Sequence, residues 1–144
     1  MIASIHLLPH AVGKPRYETP GAAGCDLQAA VTEPVVLEPG KPTLIPTGIK
    51  VALPAGYEMQ IRSRSGMTLK SIIVANSPGT IDADFRGELK VILVNAGDAP
   101  FTVHRGMRIA QGVMARVQQI TWRETDTLPR TARGEGAFGS TGSM

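Results

Sequence analysis

Apolar and polar positions in this chain alternate over short distances and are cut off every few residues. Tyr57-Glu58-Met59-Gln60-Ile61-Arg62 puts Tyr57, Met59 and Ile61 on one face of an extended strand and polar groups on the other. Val35-Val36-Leu37, Thr43-Leu44-Ile45 and Gly48-Ile49-Lys50-Val51-Ala52-Leu53 are further short runs with strand chemistry. Leu89-Lys90-Val91-Ile92-Leu93-Val94-Asn95 is nearly all apolar, which predicts a strand covered on both faces. Turn signals separate the runs at Glu38-Pro39-Gly40, Leu53-Pro54-Ala55-Gly56 and Asn95-Ala96-Gly97-Asp98. With 16 Gly and 11 Pro, few windows are long enough for an ordinary helix. One window lacks both residues, Val113 to Leu128. Val113, Val117 and Ile120 there fit a helical face, but the β-branched residues and Trp122 favour strand, which is the reading adopted. Many short strands at this spacing predict an all-β sandwich, jelly roll or barrel.

The length of 144 residues fits one domain with a hydrophobic core of its own. No second domain or internal repeat is visible; residues 1–130 read as the body and 131–144 as a Gly-rich tail. No apolar run approaches the roughly 20 residues that span a bilayer, and the first residues do not read as a signal peptide. A single cysteine, Cys25, excludes an internal disulfide framework and suits a reducing cytoplasm. The net charge of +3 comes from 15 basic and 12 acidic residues spread along the chain. With one Trp, two Tyr and three Phe, the chain offers neither a basic stripe nor stacking platforms for a nucleic acid. A small polyanion fits better than a polymer.

Five Gly-marked polar clusters carry the candidate chemistry. In Ala23-Gly24-Cys25-Asp26-Leu27-Gln28-Ala29, Asp26 could hold a metal or its waters, although an isolated aspartate of this kind more often caps a turn. Arg62-Ser63-Arg64-Ser65-Gly66 ends the alternating strand with groups that bind phosphate oxygens, or simply a solvated turn. In Asn76-Ser77-Pro78-Gly79-Thr80-Ile81-Asp82-Ala83-Asp84-Phe85-Arg86-Gly87, the Pro78-Gly79 pair predicts a type II turn that folds Asn76 back toward Thr80 and Asp82. An extended run after it would put Asp82 and Asp84 on one face, one of them a candidate general base for water. Arg108-Ile109-Ala110-Gln111-Gly112 supplies Gln111, a neutral donor. The tail Arg133-Gly134-Glu135-Gly136-Ala137-Phe138-Gly139-Ser140-Thr141-Gly142 could wrap a phosphate and lay Phe138 on a flat ring. The histidines His6, His10 and His104 show no metal-ligand spacing and read as surface or satisfied edge residues, and Cys25 as a small packed side chain.

In this order, and across about residues 15–142, the five clusters resemble the five motifs of the trimeric dUTPases. The resemblance implies a jelly-roll-like β-barrel subunit, a homotrimer with three sites at subunit interfaces, and hydrolysis of dUTP to dUMP and pyrophosphate with Mg²⁺. That reaction would remove dUTP from the nucleotide pool and supply dUMP for thymidylate synthesis. Asp82 matches the aspartate that activates water for attack on the α-phosphorus, and Asp26 the aspartate that holds Mg²⁺ through water. Arg64, Ser65 and Gly66 match phosphate contacts, Gln111 a contact on the α-phosphate side, and Arg133, Gly139, Ser140 and Thr141 the tail segment that grips the γ-phosphate. Phe138 would stack on uracil, whose edge would pair with Asn76 and with the backbone through Thr80 and Ile81. Phe85 would close the space of a 2′-hydroxyl, and Lys90 matches a position that often joins the substrate site.

Three departures from the family pattern stand out. Phe85 replaces a usual tyrosine, Ala137 replaces a usual glycine, and the segment from Gly66 to Asn76 lacks a common Gly after Lys70. The related dCTP deaminases need a glutamate near Arg86, a role arginine cannot fill. A catalytically silent nucleotide-binding trimer is the other alternative, and the intact Asp82, Arg64 and tail argue against it.

Overall fold

A computed structural model describes residues 1–144. In chain order the strands are β1 (Ser4–Leu7), β2 (Gly24–Gln28), β3 (Val35–Leu37), β4 (Thr43–Pro46), β5 (Ile49–Ala52) and β6 (Tyr57–Arg62). After the one-turn helix α1 (Ser65–Thr68) come β7 (Ile72–Val74), β8 (Gly79–Ile81), β9 (Lys90–Asn95), β10 (Phe101–Val103) and β11 (Arg108–Arg116). All named pairings are antiparallel. They form a four-stranded sheet β2-β11-β6-β8, a three-stranded sheet β4-β9-β7, and the pairs β1-β5 and β10-β3. The all-β expectation holds, but the strands do not close into one hydrogen-bonded barrel. Instead the sheets surround a shared core of 19 buried residues, among them Leu27, Leu37, Ile45, Leu93 and Ile109.

Alternation builds that core as the sequence requires. In β6, Met59 and Ile61 are buried while Arg62 is exposed. In β9, Val91, Leu93 and Asn95 are buried, but Ile92 and Val94 only half so, which corrects the expectation of a strand covered equally on both faces. Asn95 is one of two buried polar residues. Its amide donates to the carbonyls of Leu37 (3.0 Å) and Ala99 (2.7 Å) and accepts from the Gly97 N–H (2.9 Å), so the polar group fastens β9 to β3 and to the next turn.

Three further expectations are corrected. The strand expected from Val113 to Leu128 ends at Arg116; the Val117 N–H bonds the Gly56 carbonyl at 2.9 Å, and beyond it no partner strand is available. Ile120, Trp122 and Leu128 are consequently 64%, 85% and 84% exposed, an apolar arm with nothing to cover it within one chain. Pro78-Gly79 does not form a type II turn, because Gly79 lacks positive φ and opens β8. The chain does reverse between β7 and β8, but the two strands enter different sheets. Asp82 and Asp84 do not share an extended face either. The Phe85 N–H bonds the Asp82 carbonyl (3.2 Å), so the run turns at once.

Candidate active site

Three adjacent strands set the first half of the site. Gln111 on β11 lies opposite Asp26 on β2 and opposite Arg62 on β6. The Gln111 side chain crosses directly over Gly24, where a Cβ would stand 2.4 Å from its Oε1, so a larger residue there would push the amide out of its present position. Gln111 Nε2 donates to the Ser63 carbonyl at 3.1 Å. Ser63 is engaged on main chain and side chain alike: its N–H donates to Ser77 Oγ (3.2 Å) and its own Oγ accepts from the Val74 N–H (2.9 Å). One serine thereby joins the second, third and fourth clusters, a role that only the fold reveals.

Asp26 is largely covered and sits between two guanidinium groups. Arg64 Nε is 3.0 Å from Oδ1, and Arg108 Nη1 is 3.2 Å from Oδ2 and 3.7 Å from Glu18. Arg64 Nη1 also donates to the Arg108 carbonyl at 3.0 Å, which leaves its Nη2 free of protein partners. Arg64 precedes α1, and the N–H groups of Ser65 and Gly66 in that first turn have no backbone acceptor. A cleft of about 300 Å³ is lined by Glu18, Thr19, Asp26, Arg64, Ser65, Gly66 and Gln111 among others. Guanidinium, hydroxyl and free N–H groups facing one cleft are suited to a chain of phosphates. No group of three or more His, Cys, Asp or Glu side chains is placed to hold a metal. With only Asp26 and Glu18 as carboxylates in the cleft, and Asp26 already paired to two guanidinium groups, the lining fits a Mg²⁺ that is held mainly by its ligand and touched by the protein through water.

Asp82 lies elsewhere. Ile81 pairs with Met59, so Asp82 leaves the sheet beside Glu58, at the far end of β6 from Arg62. That stretch of strand separates it from the phosphate-binding end by about 13 Å. Asp82 lines a different cleft, with Tyr57, Glu58, Asp84, Val117 and Gln119. β8 is the outer strand of its sheet, so peptide groups along its free edge lack a partner. Asn76 and Thr80 beside it are exposed and Ile81 is half-buried. The Phe85 ring lies over Gly87, where a Cβ would meet Cζ at 2.6 Å. Arg86 braces the same loop by donating to the Ala83 (2.6 Å) and Phe85 (3.0 Å) carbonyls.

The structure does not bring the tail or Lys90 to either cleft. Lys90 opens β9 opposite Pro46. Arg133 Nε donates to the Gly136 carbonyl (2.8 Å), Phe138 is fully exposed, and Gly139, Ser140 and Thr141 lie in a run of turns bonded only to the tail itself. Ala137 is not in the left-handed region, so no strain arises there; Phe138 (φ 47°) and Gly139 (φ 88°) are. In the shortened segment, Ser71, the residue after Lys70, takes φ 65°. Burial raises the Cys25 thiol pKa, against hydrogen bonds that lower it, so this cysteine is a packed thiol rather than a nucleophile.

The profile of the dUTPase family matches residues 11–142. The chain belongs to the dUTPase family. A deoxyuridine 5'-triphosphate nucleotidohydrolase of Rickettsia bellii is 56% identical over 129 residues, covering 89% of this chain and 86% of that one. Its counterpart in Chlamydia trachomatis serovar L2 is 55% identical over 130 residues, covering 89% and 90%. Among solved structures, the dUTPase of Staphylococcus bacteriophage 80alpha with dUPNHPP superposes with a TM-score of 0.88 at 26% identity, over 99% of both chains. The five clusters that define this dUTPase lie within the matched residues, and its fold is the family's.

Proposed function

We infer that this dUTPase hydrolyses dUTP to dUMP and pyrophosphate at sites assembled from more than one copy of the chain. The observation that carries the shared site is the separation of Asp82 from Arg64 along β6. A water activated by Asp82 and a triphosphate held at Arg64 cannot meet within one chain, but they can meet where two copies abut. A homotrimer places three such sites around one axis.

In this reading residues 1–130 form the body and residues 131–144 the closing tail. Arg64, the Ser65 hydroxyl and the Ser65 and Gly66 N–H groups hold the phosphates and stabilise charge moving onto the leaving pyrophosphate. Gln111 orients the α-phosphate. Asp26 would hold Mg²⁺ through water, and the ion would neutralise phosphate charge. Asp82 of another copy orients a water and accepts its proton for in-line attack on the α-phosphorus. The free edge of β8 reads uracil: a cytosine edge presents the opposite donors and acceptors and would leave peptide groups unpaired, while the methyl of thymine would clash. Phe85 closes the space of a 2′-hydroxyl. Arg133, Ser140 and Thr141 grip the γ-phosphate and Phe138 covers the base as the tail closes. The free, buried thiol of Cys25 suits a reducing cytoplasm.

Product analysis with dUTP, dCTP, dTTP and UTP in Mg²⁺ tests this directly. Only dUTP is expected to turn over, giving dUMP and pyrophosphate. Asp82→Asn should keep dUTP binding and lose about 10²–10⁴-fold in kcat; unchanged turnover would remove Asp82 from the mechanism.

A further inference from the structure

Glu88 stands outside both clefts, yet it is engaged more tightly than any carboxylate but Asp26. Its Oε1 accepts from His10 Nε2 at 2.6 Å and from the Gly48 N–H at 2.9 Å, and its side chain is 15% exposed. The three groups come from distant parts of the sequence. Gly48, at φ 72°, turns the chain from β4 into β5 and packs so closely on Ala11 that a Cβ would stand 2.5 Å from the Ala11 Cα. The His10 segment is fixed independently. The Leu8 N–H bonds the Gly48 carbonyl (2.8 Å), and Arg105 donates to the carbonyls of His10 (2.7 Å) and Ala11 (3.4 Å). Leu89, next to Glu88, bonds through its N–H to the Ile49 carbonyl (2.8 Å), and its carbonyl accepts from the Thr47 N–H (3.2 Å).

Glu88 thus marks the point where the loop from Asp82 to Gly87 joins the rigid body. Within that loop every hydrogen bond of the Phe85 N–H and of Arg86 is internal, and the Phe85 ring rests on the loop's own Gly87. The loop joins the body at its two ends, through β8 and through Glu88-Leu89; between them Ala83 packs on the core and Arg86 lies beside β1 and β5. Phe85 is three residues from that root, and its N–H bond to the Asp82 carbonyl links the root to Asp82.

We propose that Glu88, buckled to His10 and to the Gly48 N–H, is a positioning residue for dUTP hydrolysis that sets the loop bearing Asp82 and the sugar-facing ring of Phe85. The proposal rests on the roles given above to Asp82 and Phe85. Steady-state kinetics of Glu88→Ala, Glu88→Gln and His10→Ala, taken well below their melting temperatures, test it. Glu88→Ala should lower kcat/KM for dUTP at least tenfold and narrow the ratio of dUTP to UTP turnover. Glu88→Gln, which still offers an oxygen to the Gly48 N–H, should recover most of both. His10→Ala should show a smaller effect, and His10→Ala with Glu88→Ala no more than Glu88→Ala alone. A Glu88→Ala enzyme that melts earlier but keeps both kcat/KM and the dUTP to UTP ratio would overturn the proposal. The underlying reading fails separately, if the wild-type chain does not hydrolyse dUTP or does not prefer it to UTP.

Discussion

Single groups in this molecule are set by partners far away in the chain. Asp26 meets Arg64 and Arg108, and Glu88 meets His10 and Gly48. Burial alone would push the Glu88 carboxyl up, but the hydrogen bonds from His10 and Gly48, with the positive charge of His10 and Lys90, hold it below its ordinary 4.5. A lowered folded value means that folding favours the ionised form. The contribution to stability is complete above the unfolded value and is lost as pH falls through the folded one. Thermal melting followed from about pH 6 to pH 3 should therefore fall more steeply for the wild type than for Glu88→Gln. Equal slopes would show that this carboxyl does not couple to folding. Nothing in sequence spacing hints at this pair: His10 reads as a surface or satisfied edge residue, and only the approach of β4–β5 to the root of the loop makes Glu88 its partner. Ser63 escaped the sequence for the same reason, since its three bonds reach Gln111, Ser77 and Val74 from three separate stretches of chain.

Elements with a clear period were legible, and elements defined by what they meet were not. β6 follows from the alternation of Tyr57, Met59 and Ile61, and β3, β4 and β5 from apolar runs ended by turns. The arm after Arg116 has the same β-branched chemistry but no partner in its own chain, so propensity alone does not make it a strand. Pro78-Gly79 carries a turn signature, yet pairing of Gly79 with Ile61 draws the glycine into β8. Antiparallel pairing places Asp26, Gln111 and Arg62 of β2, β11 and β6 side by side, a neighbourhood that spacing along the chain does not give. The tail was legible as an element that cannot build a core, and its hydrogen bonds are all to itself. Cutting the chain after Thr131 should leave the melting temperature almost unchanged and lower kcat/KM strongly. A truncated protein that fails to fold would make the tail structural instead.

At the scale of the whole molecule, the phosphate-binding cleft and the Asp82 cleft are separate features of one chain, and an apolar arm with Trp122 stands uncovered. Both features favour assembly. Two inactive variants should then complement each other. Arg64→Ala keeps Asp82, and Asp82→Asn keeps Arg64. Co-refolding equal amounts should restore activity at about a quarter of the sites, since each site draws the two groups from different copies. Mixing the folded variants without exchange should restore none, and no recovery after co-refolding would place both groups in one chain. The separation of Asp82 from Arg64 by the length of β6 has a consequence for how the activity responds to supply. On the shared site proposed above, a solitary chain is inert, and catalysis per molecule becomes a function of protein concentration. Dilution below the assembly's dissociation range would then silence the enzyme faster than it removes the protein, and a newly synthesised copy would contribute nothing until it found others.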